Sequence, residues 1–298
     1  MEKICIIIVG PTASGKTTAA IEVAQYFKTD IISADSRQCF KELNIGVAKP
    51  TIKQLAQVNH YFINTHSITQ NLSAADFEIY ALNAVNEIFK KNDIAVMCGG
   101  TGLYIKAFTE GLDPITQTDP KIKNEIVDGY KENGLEWLQK EIQFADPLFW
   151  ERGEIQNPHR MLRALEVIKT TGISIIAQQK KTKKQRAFKI IKVGIEIDRE
   201  ILYNNINNRV DIMQQCGLEK EAVELIRFKN LNALQTVGYR ELFDYFDRKI
   251  NREKAFELIK QNSRHYAKRQ LTWFKKDEET VWLKQNEIVA YLKNNITN

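Results

Sequence analysis

Residues 10–17 read G-P-T-A-S-G-K-T and follow directly on the apolar run Ile4, Cys5, Ile6, Ile7, Ile8, Val9. This is a complete G-x-x-x-x-G-K-[ST] loop in the context it requires: a buried strand delivers the chain and a helix-forming stretch, 18–27, carries it away. The backbone of Gly10, Pro11, Thr12, Ala13, Ser14 and Gly15 is expected to wrap a polyphosphate with its available N–H groups. Lys16 then reaches the outer phosphates as a point charge, and Thr17 places its hydroxyl on Mg²⁺. Gly10 and Gly15 permit backbone conformations that a side chain would block.

Outward from this loop, 298 residues suffice for one large domain with an insertion, or for two domains. No run of some 18 apolar residues occurs, and the N-terminus leads straight into the first strand, so neither a membrane span nor a signal peptide is expected. Cys5, Cys39, Cys98 and Cys216 are widely spread, form no C-x-x-C pair and share no ligand spacing with the four histidines. They read as reduced thiols of a cytoplasmic protein. The net charge of +6 is unevenly placed. No acid lies between Glu166 and Glu196, a stretch with Lys169, Lys180, Lys181, Lys183, Lys184, Arg186, Lys189 and Lys192. A second acid-free stretch, Glu257 to Asp277, carries Lys260, Arg264, Lys268, Arg269, Lys275 and Lys276. Two such segments point either to a polyanion larger than a nucleotide or to solvated helix faces.

Strand-like runs at 4–9, 30–35, 94–98 and 192–198 alternate with helical stretches, with weaker candidates at 60–63 and, as an edge strand, 281–283. The alternation predicts an α/β fold, a parallel sheet covered by helices in the manner of P-loop NTPases. Between Pro114 and Arg186 the strand signal disappears. Helices are expected at 120–140, 147–152 and 158–171, each opened by a proline, with stops near Gly134 and Gly172. The expected organisation is a core of 1–113 and 187–298 with a helical insertion, 114–186.

Ligands of parallel sheets collect beyond the carboxyl ends of the strands. Three clusters fall there: the phosphate loop, Asp35-Ser36-Arg37-Gln38, and Gly99-Gly100-Thr101-Gly102. Asp35 could hold Mg²⁺, accept a proton from a bound nucleophile, or cap the next helix. The glycines could form only a tight turn, with Thr101 capping the helix behind them. The run 94–98 ends in glycines rather than in a Walker-B acid, and no arginine-rich lid is obvious, although Arg152, Arg160 and Arg163 are present. A phosphate loop without standard hydrolysis apparatus invites a leaving group other than that of ATP.

With these blocks in place the chain resembles the tRNA dimethylallyltransferase (tRNA isopentenyltransferase) family over nearly its whole length. The matching blocks are G-P-T-A-S-G-K-T at Gly10, A-D-S-R-Q at Ala34, N-I-G-V-A-K-P at Asn44, S-A-A-D-F at Ser73 and G-G-T-G-L-Y at Gly99. They continue with R-A-L-E-V at Arg163, R-V-D-x-M at Arg209, Q-T-V-G-Y-R-E-L at Gln235 and Y-A-K-R-Q-L-T-W-F at Tyr266. Their order and spacing together are specific.

The resemblance implies transfer of a dimethylallyl group from its diphosphate to N6 of the adenosine 3′-adjacent to the anticodon, with the loop holding an isoprenoid diphosphate rather than ATP. It implies Asp35 as general base, Thr101 and Lys16 beside the reacting groups, and Asp35, Ser36, Arg37 and Gln38 around the flipped adenine. Lys123, the segment His159, Arg160, Met161, Leu162 and Arg163, and further Arg209 and Lys268 are the implied contacts to the tRNA anticodon stem-loop. Mg²⁺ is the implied cofactor and a monomer the expected state. Departures from the family pattern are Lys123 for a common Arg, Asn205 for the first Arg of R-I-N-x-R-V-D, Cys39-Phe40 for Val-Tyr, and His60-Tyr61-Phe62 for His-His-Leu. No zinc finger of the eukaryotic type is appended, which is the pattern of a bacterial or organelle-like form. The competing readings are a P-loop kinase of a nucleoside or small metabolite, and a nucleotide-gated RNA-binding protein without chemistry.

Overall fold

The computed structural model describes residues 2–113, 118–179 and 182–296. Six parallel strands form one sheet in the order β3-β2-β4-β1-β5-β6: β1 Ile4–Val9, β2 Ile31–Ser33, β3 His60–Tyr61, β4 Ile94–Gly99, β5 Lys189–Ile195 and β6 Val281–Leu283. β1 lies between β4 and β5, with Val9 opposite Gly99 and Gly194. Its period of two fills both layers. Cys5, Ile7 and Val9 face one core with Phe77 and Phe108, and Ile4, Ile6 and Ile8 face the other with Ala20, Val23 and Leu292.

Strand ends depart from the sequence reading for local reasons. β2 stops at Ser33 because Asp35 turns back on itself, its Oδ1 accepting the amides of Arg37 and Gln38 at 2.8 and 3.2 Å. β3 ends early as Phe62 takes a left-handed φ of 64°. β5 starts three residues sooner than its apolar run, since Lys189 N donates to Lys3 O, and it cannot reach Asp198, which caps the helix Arg199–Gln215 through Glu200 N.

The chain divides into two compact units, Met1–Glu110 with Gln185–Asn298, and Gly111–Lys184. Pro114, the first residue of the expected insertion, lies outside the described residues, as do Lys180 and Lys181. The second unit is helical: Pro120–Ala145, Pro147–Arg152, Pro158–Thr171 and a short Ile175–Gln178 that carried no sequence signal. Asp119, Asp146 and Asn157 cap the three proline-opened helices. Gly134 (φ 74°) kinks the first helix instead of ending it, while left-handed Gly172 does terminate the third. Ile126, Leu138, Ile142, Phe149, Met161 and Leu165 form its core.

The basic segments are partly internal. Arg186, only 9% exposed, pairs with equally buried Glu78 at 2.9 Å and donates to the carbonyls of Ala107 and Phe108. Lys192 is held by Asp277 and Glu279, Lys169 by Glu141 and Lys260 by Asp211. Acids distant in sequence fold back on these cations, so local charge overstated the surface available to a polyanion.

Candidate active site

Beyond the carboxyl ends of β1, β2 and β4 lie two adjoining cavities, of about 570 and 390 Å³. The larger is lined by Thr12, Ser14, Lys16, Thr17, Gly99 and Gln270, among others. The smaller is lined by Arg37, Gly46, Met213, Arg240 and Arg269, among others. Thr12, Asp35, Val47, Arg209 and Tyr266 border both.

The loop after β1 has the shape of an anion cradle. Ala13 (φ 63°) and Gly15 (φ 90°) are left-handed, the alternation that turns successive amides toward one point. Ser14 is 4% exposed, and its Oγ has no hydrogen-bond partner among the described residues. A buried hydroxyl left unpaired is costly, and an oxyanion in the cradle would satisfy it. Lys16 Nζ donates to Pro11 O at 2.6 Å, and burial holds its pKa down at about 8, with nearby Arg209 lowering it further against Asp35. Asn205 donates to Ala13 O at 3.3 Å, so at this departure from the family pattern a neutral amide supports the loop.

Asp35 and Thr101 meet across the sheet end. Thr101 Oγ1 accepts the Ser36 amide at 3.0 Å, while the Thr101 carbonyl opens the helix Gly102–Glu110. The threonine side chain is therefore committed to the Asp35 turn and not to capping its own helix. Oδ1 of Asp35 is taken by the two turn amides, whereas Oδ2 accepts no hydrogen bond from a described residue. Arg209 Nη1 donates to Thr12 Oγ1 at 3.1 Å and Nη2 to Ala48 O at 3.4 Å; grouped above with the RNA contacts, it lies against the phosphate loop. Gln38 is held by the carbonyls of Val47 and Ala48. That 44–49 loop is fixed in turn by Glu221, whose carboxylate accepts the amides of Asn44, Ile45 and Gly46 and the Tyr239 hydroxyl at 2.6–3.1 Å.

Several residues here were not among the site residues expected from the sequence. Tyr266 lines both cavities, and burial with the charge of Asp35 pushes its phenol up to about 12. Gln270 bonds Thr12 N and Gly100 O, and Arg240 and Arg269 line the smaller cavity. The second acid-free stretch lies mostly on the helix Arg252–Phe274, and its residues do not form one open basic face. Arg264 bonds Asn207, Leu271 packs beside Leu202 and Ile206, Lys275 lies over Trp282, and Lys268 is exposed. In the helical unit Lys123 and His159 are exposed, and Arg160 pairs with Glu154. Arg163 pairs with Glu166, Leu162 is half-buried, and Met161 is sealed in the core, where its side chain can only pack.

Comparison with known proteins adds four findings. Residues 38–277 match the family model described as IPP transferase. The chain is 49% identical over 279 residues, covering 94% of it and 92% of the relative, to a tRNA dimethylallyltransferase of Christiangramia forsetii. It superposes on a full-length tRNA isopentenylpyrophosphate transferase of Bacillus halodurans with a TM-score of 0.72, 32% identity, and coverage of 100% and 96% of the two chains. A eukaryotic dimethylallyltransferase acting on tRNA shares the fold at a TM-score of 0.77, with 23% identity over 99% of this chain and 77% of that one.

Proposed function

The chain belongs to the IPP transferase family, and on that footing we propose that it transfers a dimethylallyl group from dimethylallyl diphosphate to N6 of the adenosine 3′-adjacent to the anticodon of tRNA, giving N6-isopentenyladenosine. The observation that carries the residue assignment is the shared wall: Asp35 and Arg209 border both the cradle cavity and its neighbour. A carboxylate at such a junction can serve an acceptor in one chamber while the leaving group sits in the other.

In this reading the N6 lone pair attacks C1 of the dimethylallyl group, the C1–O bond breaks, and its electron pair leaves with the diphosphate. Adenine N6 is a weak nucleophile because its lone pair is delocalised into the ring. Asp35 takes the N6 proton as the bond forms, through the oxygen that the turn amides leave open, an effect worth about 10²–10⁴-fold. Lys16, Arg209, Ser14 and the loop amides meet the negative charge growing on the diphosphate, each preorganised donor worth ~3–4 kcal/mol by analogy with oxyanion holes. Thr101 fixes the Asp35 turn. Mg²⁺ fits this donor set, since it is commonly bound through phosphate oxygens and waters with few protein ligands; Thr17 would hold it, and it would shield the diphosphate charge.

The acceptor base must leave its stack, at a cost of a few kcal/mol that phosphate contacts offset. Arg37, Arg240 and Arg269 supply cations to the second cavity, with Lys268, Lys123 and His159 exposed for further RNA contact. Among the described residues no helix is long and apolar enough to cross a membrane. A cytoplasmic monomer is the working form of this proposal.

The test is to incubate the protein with Mg²⁺, dimethylallyl diphosphate and an unmodified anticodon stem-loop, and to weigh the RNA by mass spectrometry beside Asp35→Ala. A gain of one prenyl group, lost in the variant with RNA binding kept, is expected. ATP hydrolysis or phosphate transfer without prenylation would move the chain to the kinase reading.

A further inference from the structure

We propose that Gln270 is the positioning residue that locks the anion cradle to the glycine turn, holding the leaving-group site and the base in one register. The proposal rests on the prenyl-transfer reading above. Gln270 lies on the helix Arg252–Phe274 and is 6% exposed. Its Oε1 accepts the Thr12 amide at 2.8 Å and its Nε2 donates to Gly100 O at 2.9 Å. Among the described residues it is the one side chain that hydrogen-bonds the backbone of both loops. The fit is tight enough that a Cβ at Gly100 would collide with its Nε2.

Each bond leads to the chemistry by a short path. Gly100 precedes Thr101, whose hydroxyl holds the Ser36 amide beside Asp35. Thr12 precedes the left-handed Ala13 of the cradle and accepts Arg209 on its hydroxyl. Because Gln270 occupies the Thr12 N–H, the cradle presents to an anion only the amides that follow it. The position needs one acceptor and one donor at fixed ends of a single group, which the carboxamide supplies and neither an apolar side chain nor a carboxylate can. A neutral carboxylic acid can supply both. The conservative variant is therefore switchable by pH.

The test uses the full chain with dimethylallyl diphosphate, Mg²⁺ and the stem-loop from pH 6 to 8.5, comparing wild type, Gln270→Glu and Gln270→Leu. Charged and titratable groups of the surrounding cavity are Lys16, Asp35, Lys49, Cys98, Arg209 and Tyr266. Their own titration cancels when each variant is expressed as a ratio to wild type. At pH 8 both variants are expected to lose about 10–100-fold in kcat, as a misplacement near 1 Å does, with stem-loop affinity kept within about threefold. The Gln270→Glu ratio is expected to climb severalfold as pH falls to 6, while the Gln270→Leu ratio stays flat. Wild-type kcat in either folded variant, or parallel pH profiles for the two, overturns the proposal. If Gln270→Glu does not fold, the loss of kcat at retained RNA affinity in Gln270→Leu decides. Should wild type itself fail to prenylate, the prenyl-transfer reading falls. Inorganic pyrophosphate binding then still tests the lock: about tenfold weaker binding to Gln270→Leu supports it and unchanged binding refutes it.

Discussion

Raising pH through the alkaline range should strip the donor site of its affinity in a way that Lys16 explains. Burial leaves this lysine with a pKa of about 8 in the ligand-free cavity, and burial holds Lys49, on the same wall, at about 8 as well. An anion in the cradle favours the charged ammonium, so the bound-state pKa lies higher. The sign follows: below about pH 8 the lysine is already charged and affinity is flat, whereas above it every binding event must recruit a proton. For one such group whose bound pKa stays above the range, affinity falls roughly 30-fold from pH 7 to 9.5, about 2 kcal/mol at 1.36 kcal/mol per pH unit. Lys49 steepens the fall if it too contacts the anion. Dimethylallyl diphosphate without RNA is a suitable ligand for calorimetry, because phosphate groups of this kind finish ionising near pH 6. Lys16→Met should bind more weakly at pH 7 and lose most of the slope, and Lys49→Met apportions the remainder. A flat affinity for wild type across this range, or an undiminished slope in Lys16→Met, would refute the assignment of Lys16 to the diphosphate.

Asp35→Asn should lower kcat by about 10²–10⁴-fold with donor affinity kept within about threefold, read from single-turnover prenylation beside equilibrium binding. Gly46→Ala places a methyl 2.6 Å from the buried Tyr239 ring; an overpacking cost of ~1–3 kcal/mol in denaturant unfolding is expected, relieved by Tyr239→Leu. Glu78→Ala strands the buried Arg186 and should cost ~3–5 kcal/mol in the same assay, whereas trimming the exposed Lys131–Asp128 pair should cost less than about 1 kcal/mol. Lys268→Ala should weaken stem-loop binding and reduce the slope of log affinity against log salt by about one, and equal slopes would remove Lys268 from the interface.

Much of the fold was legible because its signals are local. β1 is six apolar residues ending in a loop with one workable geometry, and the helices of the second unit announce themselves through Asp119-Pro120, Asp146-Pro147 and Asn157-Pro158. The short Ile175–Gln178 helix was not, since four residues carry no period. The site was legible where motifs follow strands, at Lys16, Asp35 and Thr101. It was opaque at Gln270, Tyr266 and Glu221, which come from helices more than a hundred residues away: the block at Tyr266 marks the family, but nothing local says which of its side chains turn toward the loops.

The sequence by itself determined the groups on offer: a glycine-rich loop after the first strand, one carboxylate beyond the second strand, and a family pattern too long to arise by chance. Each of those depends on residues a few positions apart, where backbone geometry alone fixes their relation. Only the tertiary structure decided what stands between them. It turned Thr101 toward Ser36 and away from its own helix, brought Arg209 to the loop after the first strand, spent Arg186 and Lys192 on ion pairs, and set Gln270 across two loops. Those outcomes depend on which strands become neighbours and which helix closes over their ends, and the packing of the whole core makes that choice.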